Sequence, residues 1–211
     1  MNVKKLVAGP LAVNTWCVPV AGGRMMIVDP GGDPASIIAY LAGEGRSPAL
    51  VLLTHGHFDH LLGLPELVRA YPGIPVAIHS ADARFLGEGS LALHRAFLGE
   101  DEDSGLLCDI REDFPPASLF LEEGKPVPSI DGWTVMHTPG HSEGSVCLYN
   151  AAEKTLIAGD TLFFQGMGRT DFDGGSPEKL FASLSRLAEL PPDTVVLPGH
   201  GRATTIGAEL G

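Results

Sequence analysis

Short apolar runs separated by turn residues recur along the chain, and they predict alternating strands and helices. Residues 11–20 and 24–28 are apolar runs on either side of residues 21–23, whose Ala-Gly-Gly sequence favours a hairpin turn. Residues 33–45 begin with Asp-Pro and continue with apolar residues at helical spacing, which indicates a capped helix. The run 49–53 has the length and Val/Leu content of a buried strand.

The same alternation continues to the end of the chain. The pattern predicts a helix over residues 61–71, a strand over 74–79 and a short helix over 81–86. Residues 176–188 begin with Ser-Pro-Glu and predict a further capped helix, and residues 195–197 predict the last strand. Strands that alternate with helices in this way are typical of a layered α/β fold.

Composition and charge narrow the class of protein. With 211 residues, 44% hydrophobic and 19% charged, the chain is expected to form one globular domain, residues 1–211. Twenty-six acidic residues outnumber 14 basic residues and give a net charge of −12. Nucleic acids and anionic membrane surfaces are therefore not expected as partners. No apolar run is long enough to span a membrane.

The cysteines and the amino terminus indicate a cytoplasmic location. Cys17, Cys108 and Cys147 are widely separated and odd in number, so neither a disulfide framework nor a paired-cysteine metal site is expected. The apolar stretch near the amino terminus is broken by Gly9 and Pro10 and is too short for a signal peptide. A reducing cytoplasm is the expected environment, and use of a cysteine as nucleophile is not expected.

Three histidines and one aspartate lie within six residues, directly after the apolar run 49–53. His55 and His57 are two positions apart, so their side chains can project to the same side and reach one ion. Asp59 and His60 follow in the turn and are placed to serve a second ion, because zinc with an open position needs only three protein ligands. A His-rich surface loop is the alternative, but this spacing favours a metal site.

Three further residues stand where apolar runs end. His141, Asp160 and His200 each follow such a run and are predicted to lie in strand-end loops. Loops on a rigid scaffold often carry binding and catalytic residues, so these three are expected to join the first cluster. His79 has no second metal-type residue beside it and is interpreted as a structural or rim residue. His94 is interpreted as a helix residue, and His137 is expected to face away from the metals.

Four motifs appear in the order that the metallo-β-lactamase superfamily shows: His55-x-His57-x-Asp59-His60, Pro139-Gly140-His141-Ser142-x-Gly144-Ser145, Gly159-Asp160-Thr161-Leu162 and Pro198-Gly199-His200-Gly201. In addition, Gly168-Arg169-Thr170-Asp171-Phe172 followed by Gly174-Gly175 resembles the branch that holds glyoxalase II-like thioesterases and persulfide dioxygenases. The resemblance spans most of the chain. It implies an α/β fold, a four-layer αββα sandwich with the metals at one edge.

The resemblance implies that two divalent metal ions are held by seven residues: His55, His57 and His141 for one ion, Asp59, His60 and His200 for the other, and Asp160 as a bridge. Zinc is the expected metal, with iron and manganese as alternatives. Asp59 would also orient the attacking hydroxide, and Asp29 would lie near the metals or serve as an ordinary turn residue. Arg169 is the candidate contact for an anionic substrate, or forms a structural ion pair with Asp171 or Asp173.

The expected activity is hydrolysis of an acyl-thioester such as S-lactoylglutathione by a metal-bridging hydroxide. The alternative is a persulfide dioxygenase with one iron, although Pro198-Gly199-His200-Gly201 differs from the Pro-Ala-His-Asp-Tyr of such enzymes. A non-enzymatic metal scaffold and an exported β-lactamase are less favoured. No counterpart of the carboxyl-terminal helical domain of full-length glyoxalase II enzymes is expected in residues 1–211, so the thiol carrier is left open, as are the acyl group and the oligomeric state.

Residues 87–125 carry the weakest pattern. They include a short acidic run and Pro115-Pro116, which excludes a regular helix at that point. The segment is interpreted as a surface insertion or as a lid over the metal edge. In the lid interpretation, four apolar residues would shape the substrate pocket: Phe97, Leu106, Leu107 and Phe114.

Overall fold

The computed structural model describes residues 2–98 and 112–211. The first sheet has six strands in chain order: β1 Lys4–Ala8, β2 Val13–Val20, β3 Arg24–Val28, β4 Ser47–Leu52, β5 Val76–His79 and β6 Leu119–Leu121. Strands β1 to β3 pair antiparallel, and β3 to β6 pair parallel. The parallel half of the sheet therefore points its carboxyl-terminal strand ends to one edge.

The second sheet is built from the later part of the chain. The remaining strands are β7 Thr134–His137, β8 Val146–Asn150, β9 Thr155–Gly159, β10 Leu162–Phe163, β11 Gly166–Met167, β12 Val195–Pro198 and β13 Thr204–Thr205. Five of them form the sheet in the order β13-β12-β9-β8-β7, while β10 and β11 form a separate small hairpin. Strands β9 and β12 are parallel, so both end at the same edge of this sheet.

The helices cover the outer faces of the two sheets. They are α1 Pro34–Gly43, α2 Leu64–Ala70, α3 Ser90–Leu98, α4 Pro177–Leu187 and α5 Ile206–Glu209, with 3-10 turns at Ala21–Gly23, Phe58–His60 and Ser80–Phe85. Helix α1 begins where the Asp33 carboxylate accepts the Ser36 N–H, and α4 where Ser176 Oγ accepts the Lys179 N–H. Both caps agree with the prediction.

Three layers of apolar side chains hold the sheets and helices together. Alternate residues of β3 serve different layers, since Met26 and Val28 face the second sheet whereas Met25 and Ile27 face helices α1 and α2. A third cluster packs α4 and α5 on the second sheet. The order helix, sheet, sheet, helix is the αββα sandwich that the resemblance implied. Because side chains alternate between the two faces of a strand, each sheet can pack on helices with one face and on the other sheet with the opposite face.

Three element boundaries differ from the prediction. The helix predicted over residues 61–71 begins at Leu64, because the preceding residues form the 3-10 turn that contains Asp59 and His60. The first predicted strand begins at Val13, after a turn in which the Ala12 N–H bonds the Gly9 carbonyl. The strand predicted over 74–79 begins at Val76, after Pro75, which has no N–H to donate.

Helix lengths bear on membrane insertion. In the two ranges that the structure describes, no helix combines the length and the apolar character that crossing a membrane requires.

Candidate metal centre

The seven predicted ligands lie together where strands of both sheets end. The segment with His55 and His60 follows β4, His141 follows β7, Asp160 follows β9, and His200 follows β12. Their potential ligand atoms form three groups, each within 4.8 Å: His55, His57 and His141; His55, His60 and Asp160; Asp59, His60 and His200. The structure thus brings together residues that are up to 145 positions apart in the printed sequence.

The Asp160 carboxylate lies between the two outer groups. Its Oδ1 atom is 3.4 Å from His60 Nε2, and its Oδ2 atom is 3.7 Å from His141 Nε2 and 3.5 Å from His200 Nε2. Asp59 Oδ2 is 3.3 Å from His200 Nε2. One carboxylate that faces both groups is the arrangement that a bridging ligand requires.

Two of the histidines are oriented by backbone carbonyl groups behind them. His141 Nδ1 donates to the carbonyl oxygen of Arg169 over 2.7 Å, and His200 Nδ1 donates to that of Leu11 over 3.0 Å. Because a carbonyl oxygen can only accept, each Nδ1 carries the proton. Each Nε2 atom then has a lone pair that faces the cluster, which is the form that binds a metal ion.

Asp29 and Thr54 orient two more rings. Asp29 Oδ2 lies 3.0 Å from His60 Nδ1 and accepts the Thr54 hydroxyl proton over 2.7 Å. Thr54 Oγ1 can therefore accept from His55 Nδ1, which lies 3.1 Å away. Both rings present Nε2 to the cluster, and Asp29 has the position near the ligands that the resemblance implied.

His57 uses its other nitrogen. Its Nδ1 atom is 2.8 Å from His141 Nε2, and because His141 is protonated at Nδ1, His57 is the donor of this hydrogen bond in the metal-free protein. An ion held by His57 and His141 would displace that proton. The ring of His57 is enclosed by Phe97 and Phe172, with ring centroids 5.2 Å away in each case.

The residues present fit divalent metal ions. His55 Nε2 is buried and has no hydrogen-bond partner among the residues that the structure describes. A buried polar atom without a partner costs about 1–3 kcal/mol, and a bound cation removes that cost. Imidazole nitrogens combined with carboxylate oxygens are a donor set that suits zinc, iron and manganese.

Burial keeps two of the histidines neutral. Burial, followed by the neighbouring histidines, lowers the pKa of His55 well below its usual value. Burial and then His141 lower the pKa of His57 to about 3. Both rings are neutral at neutral pH, as metal ligands must be.

On the other side of the cluster, opposite charges set the pKa values of Asp59 and His60. Burial disfavours the charged form of Asp59, but His60 and His200 outweigh it and hold the pKa of Asp59 below its usual value. Burial opposes protonation of His60 too, yet Asp59 and Asp160 raise its pKa well above the usual value. The metal-free protein therefore holds a proton on His60 that an ion displaces on binding.

The loop that carries His200 is held by the first sheet. Pro198 O accepts hydrogen bonds from Asn14 Nδ2 and from Trp16 Nε1, each over 3.0 Å. A Cβ atom at Gly199 would lie 2.1 Å from Asp160 Oδ1, so only glycine allows this approach. Sequence reasoning missed Asn14, although a polar residue within an otherwise apolar strand is a signal that could have indicated it.

A cavity of about 360 Å³ opens over the ligands. Its walls are mostly apolar, and the apolar residues among them are Leu11, Phe58, Phe97, Leu98, Phe163, Met167 and Phe172. Phe97 thus lines the pocket as the lid interpretation expected, whereas Phe114 does not. Phe114 is buried beneath the first sheet because its N–H bonds Ser90 Oγ and its ring packs on His94. Leu106 and Leu107 lie outside the described residues.

Arg169 lies in the pocket wall and is paired. Its guanidinium donates two hydrogen bonds of 2.6 Å to Asp171 and stacks 4.1 Å from the Phe172 ring centroid. Arg169 holds the pKa of Asp171 at about 2. The ion pair with Asp171 is therefore present, while Asp173 contacts Arg84 instead. Contact of Arg169 with a substrate stays a prediction.

The other candidate groups have structural positions. His79 and His137 stack on each other with ring centroids 4.1 Å apart. His94 is a buried residue of helix α3, and its Nε2 atom lies 2.9 Å from the Phe85 carbonyl oxygen. Burial raises the pKa of Cys17 to about 12 and that of Cys147 to about 11, so both are unreactive thiols at neutral pH. Cys108 lies outside the described residues.

The sequence profile of the metallo-beta-lactamase superfamily matches residues 8–200. The probable metallo-hydrolase YqgX of Bacillus subtilis is 36% identical over 99% of this chain and 94% of that protein. The hydroxyacylglutathione hydrolase GloC of Haemophilus influenzae is 33% identical over 87% of this chain and 82% of that protein. The chain therefore belongs to the metallo-β-lactamase superfamily, and this membership supports a metal-dependent hydrolase.

Two solved structures share the fold closely. TTHA1623 in a di-iron-bound form is 37% identical, with a TM-score of 0.82, over 97% of this chain and 96% of that chain. The BLEG-1 B3 metallo-beta-lactamase is 34% identical, also with a TM-score of 0.82, over 98% of this chain and 95% of that chain. The di-iron form of TTHA1623 and the ligand groups described above both support divalent metal binding.

Removal of single ligands is expected to empty one site at a time. We expect the wild-type protein to retain two ions per chain after dialysis, and His141→Ala and His200→Ala each to retain one, because each variant loses one of three ligands from a single group. Elemental analysis of the dialysed proteins measures this. His79→Ala, which changes a histidine outside the centre, should retain two ions. Two ions in His141→Ala would contradict the assignment.

Proposed function

We propose that this protein is a binuclear metal-dependent thioesterase, with zinc as the expected metal and acyl-thioesters of the S-lactoylglutathione type as substrates. The observation that carries the proposal is the pair of ligand groups with Asp160 between them at the base of the pocket. Binding of two ions is further supported by the di-iron form of TTHA1623.

The chemistry follows from the groups that face the pocket. When bound, two divalent ions supply hydroxide near neutral pH and polarise the carbonyl group of a substrate. The Asp59 carboxylate, which is kept ionised, accepts a hydrogen bond from the attacking oxygen and orients it. Within the described lining, no lysine, tyrosine or cysteine is present to act as a general acid. A thiolate leaving group departs without one, so a thioester suits this pocket better than an alkyl ester.

The relatives support the same substrate class. The Haemophilus influenzae protein is named as a hydroxyacylglutathione hydrolase and aligns with most of this chain. The apolar walls suit the methylene and acyl parts of a thioester, and Arg169 is the one cationic residue of the described lining. We infer that Arg169 contacts a carboxylate of the thiol carrier.

Two alternatives use the same pocket. Hydrolysis of a β-lactam amide is suggested by the similarity to the BLEG-1 metallo-beta-lactamase, and in this chain it would use the same ligand groups and Asp59. A persulfide dioxygenase with one iron would use one ligand group and leave the other without a role. The presence of both groups therefore favours hydrolysis over oxygen chemistry.

Hydrolysis of S-lactoylglutathione by protein loaded with two equivalents of zinc tests the proposal. We expect loss of the thioester absorbance at a rate that His57→Ala lowers by more than about 100-fold. Removing a hydrogen-bond partner of a metal ligand typically costs about 10–100-fold in activity, and removing the ligand itself should cost more. The matched variant His79→Ala should retain the wild-type rate. No rate above that of His57→Ala would contradict the proposal. Hydrolysis of a chromogenic β-lactam, or oxygen uptake by the iron-loaded protein with glutathione persulfide, would then indicate an alternative.

Substitution of Arg169 tests the substrate contact. We expect Arg169→Gln to raise KM for S-lactoylglutathione about fivefold, the effect of losing about 1 kcal/mol of exposed charge interaction, with kcat nearly unchanged. Asp171→Asn should lower KM, because it removes the carboxylate that competes for the guanidinium. Steady-state kinetics measure both. If the ion pair only stabilises the loop, the two variants will shift KM in the same direction.

A further inference from the structure

Asp82 is a buried carboxylate that belongs to none of the ligand groups and does not line the pocket. Its exposed fraction is 1%, and it lies in the 3-10 turn Ser80–Phe85 that follows β5. The carboxylate accepts hydrogen bonds from the Gly56 N–H over 2.9 Å, the Ser142 hydroxyl over 2.6 Å and the Gly144 N–H over 2.7 Å. These three donors compensate the carboxylate for its burial, which would be costly without them.

The three donors come from the two loops that supply one ligand group. Gly56 lies between His55 and His57, and Ser142 is adjacent to His141. His57 Nδ1 and His141 Nε2 are 2.8 Å apart although 84 positions separate the residues. Asp82 therefore connects, behind the ligands, the two segments whose ligand atoms must meet at one ion.

The surrounding residues leave little room for the loops to move. A Cβ atom at Gly144 would lie 2.6 Å from the Asp82 carboxyl carbon, and one at Gly56 would lie 2.2 Å from the Phe85 ring. Ser145 Oγ accepts the Ser142 N–H over 3.1 Å and contacts Ser142 Oγ over 2.7 Å. Gly144 and Ser145 thus hold the loop around His141 in place, although neither is a candidate metal ligand.

Both carboxylate oxygens are needed to satisfy the three donors. Asp82 Oδ2 accepts from Gly56 and Ser142, while Oδ1 accepts from Gly144. An amide has one acceptor oxygen and an NH₂ group that would face an N–H donor. Asp82→Asn keeps the shape of the side chain and removes at least one of the three bonds.

We propose that Asp82 is a positioning residue for the His55, His57 and His141 group and sets the affinity of that group for its ion. The role follows from contacts among the protein's own residues and holds whichever substrate the protein hydrolyses. The group of Asp59, His60 and His200 has no hydrogen bond to Asp82 among the described contacts, so its affinity is expected to be independent of Asp82.

Zinc affinity measured one group at a time tests the proposal without any activity assay. In a His200→Ala background the His55, His57 and His141 group is the intact one, and in a His141→Ala background the other group is intact. Competition between each metal-free protein and a chromophoric chelator gives the dissociation constant for zinc. We expect Asp82→Asn to weaken binding about 10–100-fold in the first background and less than about threefold in the second.

Two further variants separate positioning from general destabilisation. Asn150→Ala removes a buried side chain that accepts the Glu153 N–H in the turn after β8, away from both loops. It should lower the melting temperature without changing either zinc affinity. Ser142→Ala removes one of the three bonds and should weaken zinc binding in the first background by about threefold to tenfold. This variant tests the proposal even if Asp82→Asn does not fold. Unchanged affinity in Ser142→Ala, or equal losses in both backgrounds, would overturn the proposal.

Discussion

The orientation of the histidine rings is the constraint on which the site depends. Three of the rings hydrogen-bond through Nδ1 to an acceptor behind them, a backbone carbonyl for His141 and His200 and the Thr54 hydroxyl for His55, and His60 Nδ1 lies 3.0 Å from the Asp29 carboxylate. Each of these contacts favours a proton on Nδ1, so four Nε2 atoms face a single small volume, and His60 offers its lone pair once an ion displaces its second proton. Without the acceptors, the same residues would be buried imidazoles with no preference for presenting a lone pair to an ion.

The sandwich supplies these acceptors by bringing strand ends of both sheets to one edge. Of the acceptors, Asp29 follows β3 and Thr54 follows β4 of the first sheet, while the ligands His141 and His200, which bond the Arg169 and Leu11 carbonyls, follow strands of the second. The apolar cluster between the sheets keeps the two sets of loops at a constant separation. The fold therefore contributes to the chemistry by holding the ligand loops rigidly.

The sequence allowed the ligand set and most elements to be predicted, for reasons that differ between residues. His55, His57, Asp59 and His60 are close in the chain, so their spacing alone indicates a metal site. The αββα order came from a resemblance, because a period of two cannot tell which sheet a strand joins. Asp82 and Asn14 were missed since their partners are between 26 and 187 positions away along the chain. The start of the 61–71 helix was predicted too early because the ligand turn precedes it.

Nitrogen-15 NMR spectra of the imidazole rings in the zinc-loaded protein test the central claim most directly. The shifts of the two nitrogens and their coupling to ring protons identify which nitrogen carries hydrogen. The account predicts protonated Nδ1 in His55, His60, His141 and His200, and protonated Nε2 in His57, whose Nδ1 faces the ion position. A protonated Nε2 in any of the first four rings would contradict the assignment of the acceptors behind them as the groups that prepare this site.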